Sequence, residues 1–118
     1  MVVLPSRELA FLETVRTMVA EHLGDTQFGV ERLAEDLSMS RRQLSRKLRA
    51  LVEETPVAMI RRMRLEQAVA LLNEGVLSVK EIAFGVGFRD ESYFGRLFRE
   101  TYGVPPSEYT QQAHPRSQ

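Results

Sequence analysis

Between positions 42 and 49, four polar side chains recur at helical spacing: Arg42, Ser45, Arg46 and Arg49. At 3.6 residues per turn they share one helix face, opposite an apolar stripe of Leu44, Leu48 and Leu51. An arginine fork can donate two parallel hydrogen bonds to guanine O6 and N7, and a serine hydroxyl can meet a base edge or a phosphate. Arg41 and Arg42 stand near the helix start, where reach is deepest, while Lys47 and Arg49 suit phosphates. The bland alternative is a solvated basic face. Three arginines on one face with no carboxylate among them weigh against it.

Other chemistries find few carriers. The chain has no cysteine, so neither a disulfide framework nor a thiolate metal site can form. Its two histidines, His22 and His114, are too few and too far apart for a histidine zinc site, and no cofactor is expected. With no Gly-rich phosphate loop and with carboxylates on solvated faces, no nucleophile–base pair assembles, so the chain is not expected to be an enzyme.

At 118 residues the chain has the size of one domain, and 43% hydrophobic with 27% charged residues is a globular balance. No apolar run is long enough for a membrane span or signal peptide, which places the chain in the cytoplasm as an expectation. The net charge is zero, with 16 basic and 16 acidic residues, which at face value argues against a nucleic-acid partner. The distribution says otherwise. Residues 1–40 hold three positive and seven negative side chains, residues 41–64 eight positive and two negative, and residues 65–118 five positive and seven negative. The middle fifth of the chain is strongly basic.

The elements that must position these residues read as helices throughout, with no strand-like alternation. Pro5-Ser6 opens a first helix with Leu12, Val15, Val19 and Leu23 as its apolar stripe, and Gly24 is expected to end it. His22 is expected half-buried in its last turn. Val30 to Leu37 forms a second helix behind a Gly29 N-cap, with Phe28 and Leu33 as a hydrophobic staple. After the Ser38-Met39 turn, Ser40 caps a third helix to about Val52, with Gln43 completing a capping box and Met39–Leu44 as staple. Thr55-Pro56 starts a long fourth helix to Asn73, and Gly75 stops it. Ser78 and Glu81 form another capping box, with Leu77–Ile82 as staple, for a helix from Val79 to Val86. Asp90 caps a sixth helix to Tyr102. Pro105-Pro106 begins a seventh through Tyr109, with a frayed polar tail after it.

The chain also repeats itself. Val30-Glu31-Arg32-Leu33-Ala34 matches Val79-Lys80-Glu81-Ile82-Ala83 at an offset of 49. Beyond the turn the offset becomes 50: Ser40 to Asp90, Leu44 to Phe94, Arg46 to Arg96, Leu48 to Phe98, Arg49 to Arg99, Pro56 to Pro106. The second turn, Gly87-Phe88-Arg89, is one residue longer. Each copy is a short helix with a mid-way small residue (Ala34, Ala83), a tight turn and a longer helix. That is the pattern of a helix-turn-helix whose second helix enters the major groove of DNA.

In the second copy Phe94, Phe98 and Thr101-Tyr102 are expected to face inward, leaving Ser92, Gly95, Arg96 and Arg99 outward. Gly95 mid-helix costs about 1 kcal/mol relative to Ala. Close approach to DNA and packing against another helix explain it equally well. Glu91 could accept from a cytosine amino group but would repel phosphates, so the second reader is expected to add less affinity. The fourth helix, about 27 Å long at 1.5 Å per residue, could set the two readers about one DNA turn apart, roughly 34 Å. Arg61 and Arg62 near its start, and Arg99 in the second copy, extend the phosphate-facing surface. Arg64 either joins it or anchors the helix against the first subdomain.

The stretch SRRQLSRKLRALVEETPVAMIRRMRLEQAVALL from Ser40, followed by VKEIAFGVGFRDESYFGRLFRETYGVPPSEY, closely resembles the DNA-binding domain of the AraC/XylS transcription regulators over residues 28–110. The IA, GF and SYFxRxFRxxxGxxP elements of the second segment are its most specific marks. The resemblance implies a tandem reader of double-stranded DNA that usually activates transcription. By position, base contacts fall on Arg42, Ser45 and Arg46 in the first reader and on Glu91, Ser92, Gly95 and Arg96 in the second. The wording is most like the output domain of hybrid two-component sensor-regulators, which implies upstream sensor, kinase and receiver modules. One departure stands out: the family's glycine before Pro is Glu53 in the first copy, although Gly103 is kept, so the first reading helix is expected to end differently.

The expected architecture is therefore all-α, with seven helices in two helix-turn-helix subdomains joined by a long central helix. Its divisions are 1–55, a linker helix 56–73, 74–112, and a frayed tail 113–118. The expected partners are double-stranded DNA and RNA polymerase, the latter through the acidic first helix. The rival reading is a helical protein-interaction module that binds no DNA.

Overall fold

The computed structural model describes residues 6–113, with side chains described as far as Tyr109. It holds seven helices and, among the described residues, no strand: α1 Ser6–Glu21, α2 Val30–Asp36, α3 Arg41–Val52, α4 Pro56–Glu74, α5 Val79–Gly85, α6 Glu91–Tyr102 and α7 Pro106–Ala113. Pro5 lies outside the described residues. α7 runs four residues past its expected end at Tyr109, since nothing in Thr110–Ala113 breaks a helix before Pro115. Residues 114–118 of the expected frayed tail lie outside the described residues.

Two compact units account for these helices. The first comprises the chain to Leu23 and Gln27–Met63; the second comprises Gly24–Thr26 and the chain from Arg64. Each has its own core. In the first, Leu12, Val15 and Val19 of α1 bury with Phe28, Leu33, Ala34, Leu44, Leu48, Met59 and Ile60, and Leu23 packs at the margin. In the second, Leu65, Ala68 and Leu72 of α4 bury with Ile82, Ala83, Val86, Phe88, Phe94 and Phe98. The connecting helix thus supplies apolar residues to both cores: Met59 and Ile60 to one, Leu65, Ala68 and Leu72 to the other.

The helix starts follow the side chains expected to cap them. Gln43 N donates to Ser40 Oγ at 3.0 Å and Ser40 N donates to Gln43 Oε1 at 2.8 Å. Ser78 and Glu81 reproduce that reciprocal box at 3.1 and 2.9 Å. Asp90 Oδ1 accepts from Ser92 N at 2.8 Å, and Thr55 Oγ1 accepts from Ala58 N at 3.1 Å. The expected Phe28–Leu33 staple is buried at both ends, whereas Leu77 stays exposed although Ile82 is fully buried. His22 is half-buried, stacked on Phe28 at 4.8 Å, and donates from Nδ1 to Met18 O at 2.7 Å.

Both tight turns are built as the same helix C-terminus. Met39 N donates to Ala34 O and Ser38 N to Glu35 O; Phe88 N donates to Ala83 O and Gly87 N to Phe84 O. That pair of bonds, six-to-one and five-to-two, is a Schellman closure, and it requires a left-handed residue. Gly87 takes that conformation at φ 97°, and Ser38 takes it at φ 56°. The backbone match therefore keeps the offset of 49 through Phe88. The extra residue is Arg89, between the closed turn and the Asp90 cap, and its Nε donates to Thr26 O at 3.1 Å.

Three local expectations are corrected. Glu53 sits in the left-handed region (φ 55°, ψ 30°) and its N–H bonds Arg49 O, as Gly103 (φ 85°, ψ −12°) bonds Arg99 O. α3 and α6 therefore end alike, each in a left-handed residue three positions before a buried proline. Gly24 is not left-handed. A Cβ there would come within 3.2 Å of Gly85 O, so close backbone approach accounts for it. Thr101 is exposed and donates to Leu97 O at 2.8 Å rather than facing inward with Tyr102, since it falls outside the 94–98 stripe.

Candidate nucleic-acid interface

α3 and α6 present the same pattern of burial, residue by residue. Leu44 and Leu48 correspond to fully buried Phe94 and Phe98; Ser45 and Lys47 correspond to half-buried Gly95 and Leu97. The exposed positions of α3 are Arg41, Arg42, Gln43, Arg46, Arg49 and Ala50, and those of α6 are Glu91, Ser92, Tyr93, Arg96, Arg99 and Glu100. Every residue expected to read bases is thus exposed or half-exposed on α3 or α6. Within each unit they fall on one face.

The phosphate-directed residues divide more sharply. Arg49 and Arg99 are exposed in the last turns of α3 and α6, and neither has an ion-pair partner among the described residues. Arg42 and Arg46 likewise have no ion-pair or ring partner among the described residues. Arg41 makes an exposed 3.4 Å pair with Glu31, a contact worth little in water. Arg62 is instead clamped by Glu54 through two bonds, Nε to Oε2 at 2.9 Å and Nη2 to Oε1 at 3.0 Å, so its charge is answered within the first unit. Arg61 is half-buried at the same end of α4.

Lys47 is half-buried, its Nζ 4.1 Å from the centroid of the Phe11 ring on α1. Its counterpart Leu97 packs against the second core. Arg64 has the anchoring role. Its Nη2 donates to Asp25 O at 3.0 Å, and burial lowers its pKa from the ordinary value, against the raising field of Asp25. The anchor it grips, Asp25, belongs with Gly24–Thr26 in the second unit rather than the first.

Of the two explanations for Gly95, packing against another helix finds no support among the described residues. A Cβ built there meets no heavy atom within 4 Å, so no packed helix requires the glycine. Open space beside Ser92 and Arg96 is what remains, and it suits close approach of a ligand backbone or base. Two neighbours escaped sequence reasoning. Tyr93 stands exposed on the outward face with the Arg96 Cζ 5.9 Å from its ring centroid, and Arg89 links the second turn to Thr26. An aromatic among the outward positions of α6, and one unmatched residue in the repeat, were the available signals.

No helix among the described residues is long and apolar enough to cross a membrane. Two all-helical units, each presenting a short helix, a closed turn and a solvent-exposed longer helix, define a tandem helix-turn-helix protein. A model of the helix-turn-helix domain matches residues 33–112. The regulator MtrA of Neisseria gonorrhoeae is 33% identical over 85 residues, 72% of this chain and 28% of that protein. The C-terminal domain of the two-component response regulator yesN from Fusobacterium nucleatum superposes with a TM-score of 0.81 at 30% identity, covering 86% of this chain and 98% of that one. The DNA-binding domain of the transcription factor AdpA, solved with a target DNA, gives 0.80 at 34% identity over 90% of this chain and 97% of that one. The chain spans 28% of MtrA and only 7% of a histidine kinase of Formosa agariphila that is 30% identical over 92 residues.

The chain belongs to the helix-turn-helix domain family, in its AraC/XylS form. It is a DNA-binding domain of the kind that transcription regulators carry.

Proposed function

We propose that this chain is the DNA-reading output segment of a longer, signal-responsive transcription activator, with α3 and α6 entering successive major grooves of double-stranded DNA. In that reading residues 1–55 and 74–112 carry the two readers and 56–73 the connecting helix. Arg42, Ser45 and Arg46 meet base edges from the first reader, and Glu91, Ser92, Gly95 and Arg96 from the second. Arg41, Arg49, Arg61 and Arg99 meet phosphates. The observation that carries it is the exposed row on α3: Arg42, Arg46 and Arg49, paired with no carboxylate among the described residues, beside Ser45, on the second helix of a closed helix-turn-helix. A bidentate arginine–guanine pair contributes about 1–3 kcal/mol of discrimination, enough to specify a site from a handful of contacts.

The same reading makes the chain a binding module rather than a catalyst and places it in the cytoplasm, where a bacterial chromosome is found. Upstream sensor and receiver modules fit the small share of the kinase and regulator relatives that the chain spans. Activation would bring RNA polymerase to an exposed surface, for which the acidic residues of α1, exposed Glu13 and Glu21 with half-buried Glu8, are candidates.

The test is binding to random-sequence duplex followed by selection of bound sites. Affinity for random duplex should fall steeply between roughly 50 and 200 mM salt. Selection should return two short half-sites in the same orientation, about ten base pairs apart. Failure to shift any duplex at low salt would return the chain to the protein-interaction reading, and a palindromic site filled by two chains would contradict the tandem one.

A further inference from the structure

The surroundings of the two central arginines differ in one respect that charge does not describe. In the second unit, Phe88 ends the turn and is almost wholly buried, and the Tyr93 ring meets it edge-on at 6.1 Å and 64°. Arg96 lies one turn along α6 from Tyr93, its Cζ 5.9 Å from the ring centroid. In the first unit the corresponding residues are Met39, Gln43 and Arg46. The Gln43 amide oxygen is committed to Ser40 N in the capping box, and no ring lies against Arg46 among the described residues. An open depression of about 590 Å³ occupies that place, lined by Ser38, Met39, Gln43, Arg46, Lys47 and Ala50.

We infer that Tyr93 is a positioning residue for Arg96. Its ring, steadied on Phe88, holds the guanidinium in a narrow set of rotamers before DNA arrives. A planar guanidinium packed near an aromatic face has fewer orientations to lose when it forms a bidentate bond, so discrimination at that one base pair sharpens. Arg46, over its depression, keeps its freedom and adapts to more than one base. This rests on the reading that Arg96 meets a base edge, and it gives the second reader a specificity larger than its charge suggests.

The experiment uses the full chain and a duplex selected by it from a randomised pool, together with every single-base variant of that duplex. Arg96→Ala first identifies the base pair whose discrimination collapses. Tyr93→Leu should then reduce discrimination at that position alone, about two- to five-fold. Tyr93→Phe should retain the wild-type profile, and Tyr93→Leu should add nothing in an Arg96→Ala background. Tyr93→Gln, which imports the residue of the first unit, serves as the second variant, and thermal melts confirm that each is folded. In the free chain, the ring-current shift of the Arg96 side-chain protons should vanish with Tyr93→Leu and survive Tyr93→Phe.

A uniform loss across all duplexes would overturn the inference, as would Tyr93→Phe behaving like Tyr93→Leu or additivity with Arg96→Ala. If Arg96→Ala changes discrimination and Tyr93→Leu does not, the positioning role alone falls. If Arg96→Ala changes discrimination nowhere, the base-reading assignment of Arg96 falls and the positioning role with it.

Discussion

α3 exposes four arginines and no carboxylate, while α6 exposes two arginines between Glu91 and Glu100. Yet the two helices bury the same positions, end in the same left-handed reversal and follow the same closed turn. Backbone and the pattern of buried positions can thus be held constant while the outward face changes freely, because outward positions contribute little to folding. The cores differ as well. The first is aliphatic around Leu44 and Leu48; in the second, Phe98 meets Phe94 at 5.7 Å, Tyr102 at 4.6 Å and Tyr109 at 5.5 Å. Where α3 has Lys47 reaching over Phe11, α6 has Leu97 packed inward. One unit is built for charge, the other for a stiff aromatic support.

The most damaging way to probe that contrast is through the aromatic core. Phe98→Ala should cost about 3–5 kcal/mol in urea denaturation, since it removes a fully buried ring and three ring contacts at once. A loss no larger than about 3 kcal/mol would mean that the ring contacts add nothing beyond the burial itself.

On DNA the asymmetry should reverse. Arg46→Ala should weaken binding to a selected site by about 1–3 kcal/mol, and Arg96→Ala by less, when both are titrated against the same duplex at fixed salt. Equal losses would erase the division of labour between the two readers. Arg49→Gln should flatten the dependence of log K on log salt by about 0.9, the signature of one phosphate contact. Arg62→Gln should leave that slope nearly unchanged, because Glu54 already answers the charge. A change as large as that of Arg49→Gln would show that the Glu54 clamp opens on DNA.

The left-handed positions offer a smaller test. Ser38→Gly and Glu53→Gly should each stabilise the chain by about 1 kcal/mol, because a left-handed Cβ costs roughly 1–2 kcal/mol and glycine's entropy returns part of it. Gly103→Ala should destabilise by a similar amount. A Cβ there meets nothing within 4 Å, so conformation is the whole effect.

The slightest effect concerns the two capping boxes. The Glu81 carboxylate is held below its ordinary pKa first by the Ser78 backbone N–H and then by the Ser78 hydroxyl. A depressed folded pKa contributes stability above the unfolded value that is lost as pH falls through the folded one. Gln43 in the other box does not titrate. Melts on the acid side of neutrality should therefore show a small loss in wild type that Glu81→Gln removes. Identical acid profiles for the two proteins would assign no role to that carboxylate.

Much of this was readable from the chain. Capping residues act within three or four positions, so Ser40, Gln43, Ser78, Glu81 and Asp90 declared their helices directly. The 3.6-residue stripe identified Leu44, Leu48, Phe94 and Phe98 as inward, and that left Arg42, Arg46, Arg49 and Arg96 outward without further information. What escaped was whatever depended on a second element. Leu77 was expected to staple and is exposed. Glu53 was expected to alter a helix end and does not, since it takes the same left-handed conformation as Gly103 and bonds Arg49 O. Arg62 was placed on the phosphate-facing surface with no sign that it meets Glu54 eight positions away, and Lys47 meets Phe11 on a different helix.

Periodicity and caps determined by themselves that there are seven helices, that they repeat, and that one stretch of 24 residues carries half of the positive charge. Those properties are local, set by backbone bonds and side-chain spacing within a turn or two. Only the tertiary structure decided which of those charges are paired across elements, that Arg64 is an anchor and that Gly95 faces open space. Pairing depends on which side chains meet across elements, and no spacing along a single helix encodes that.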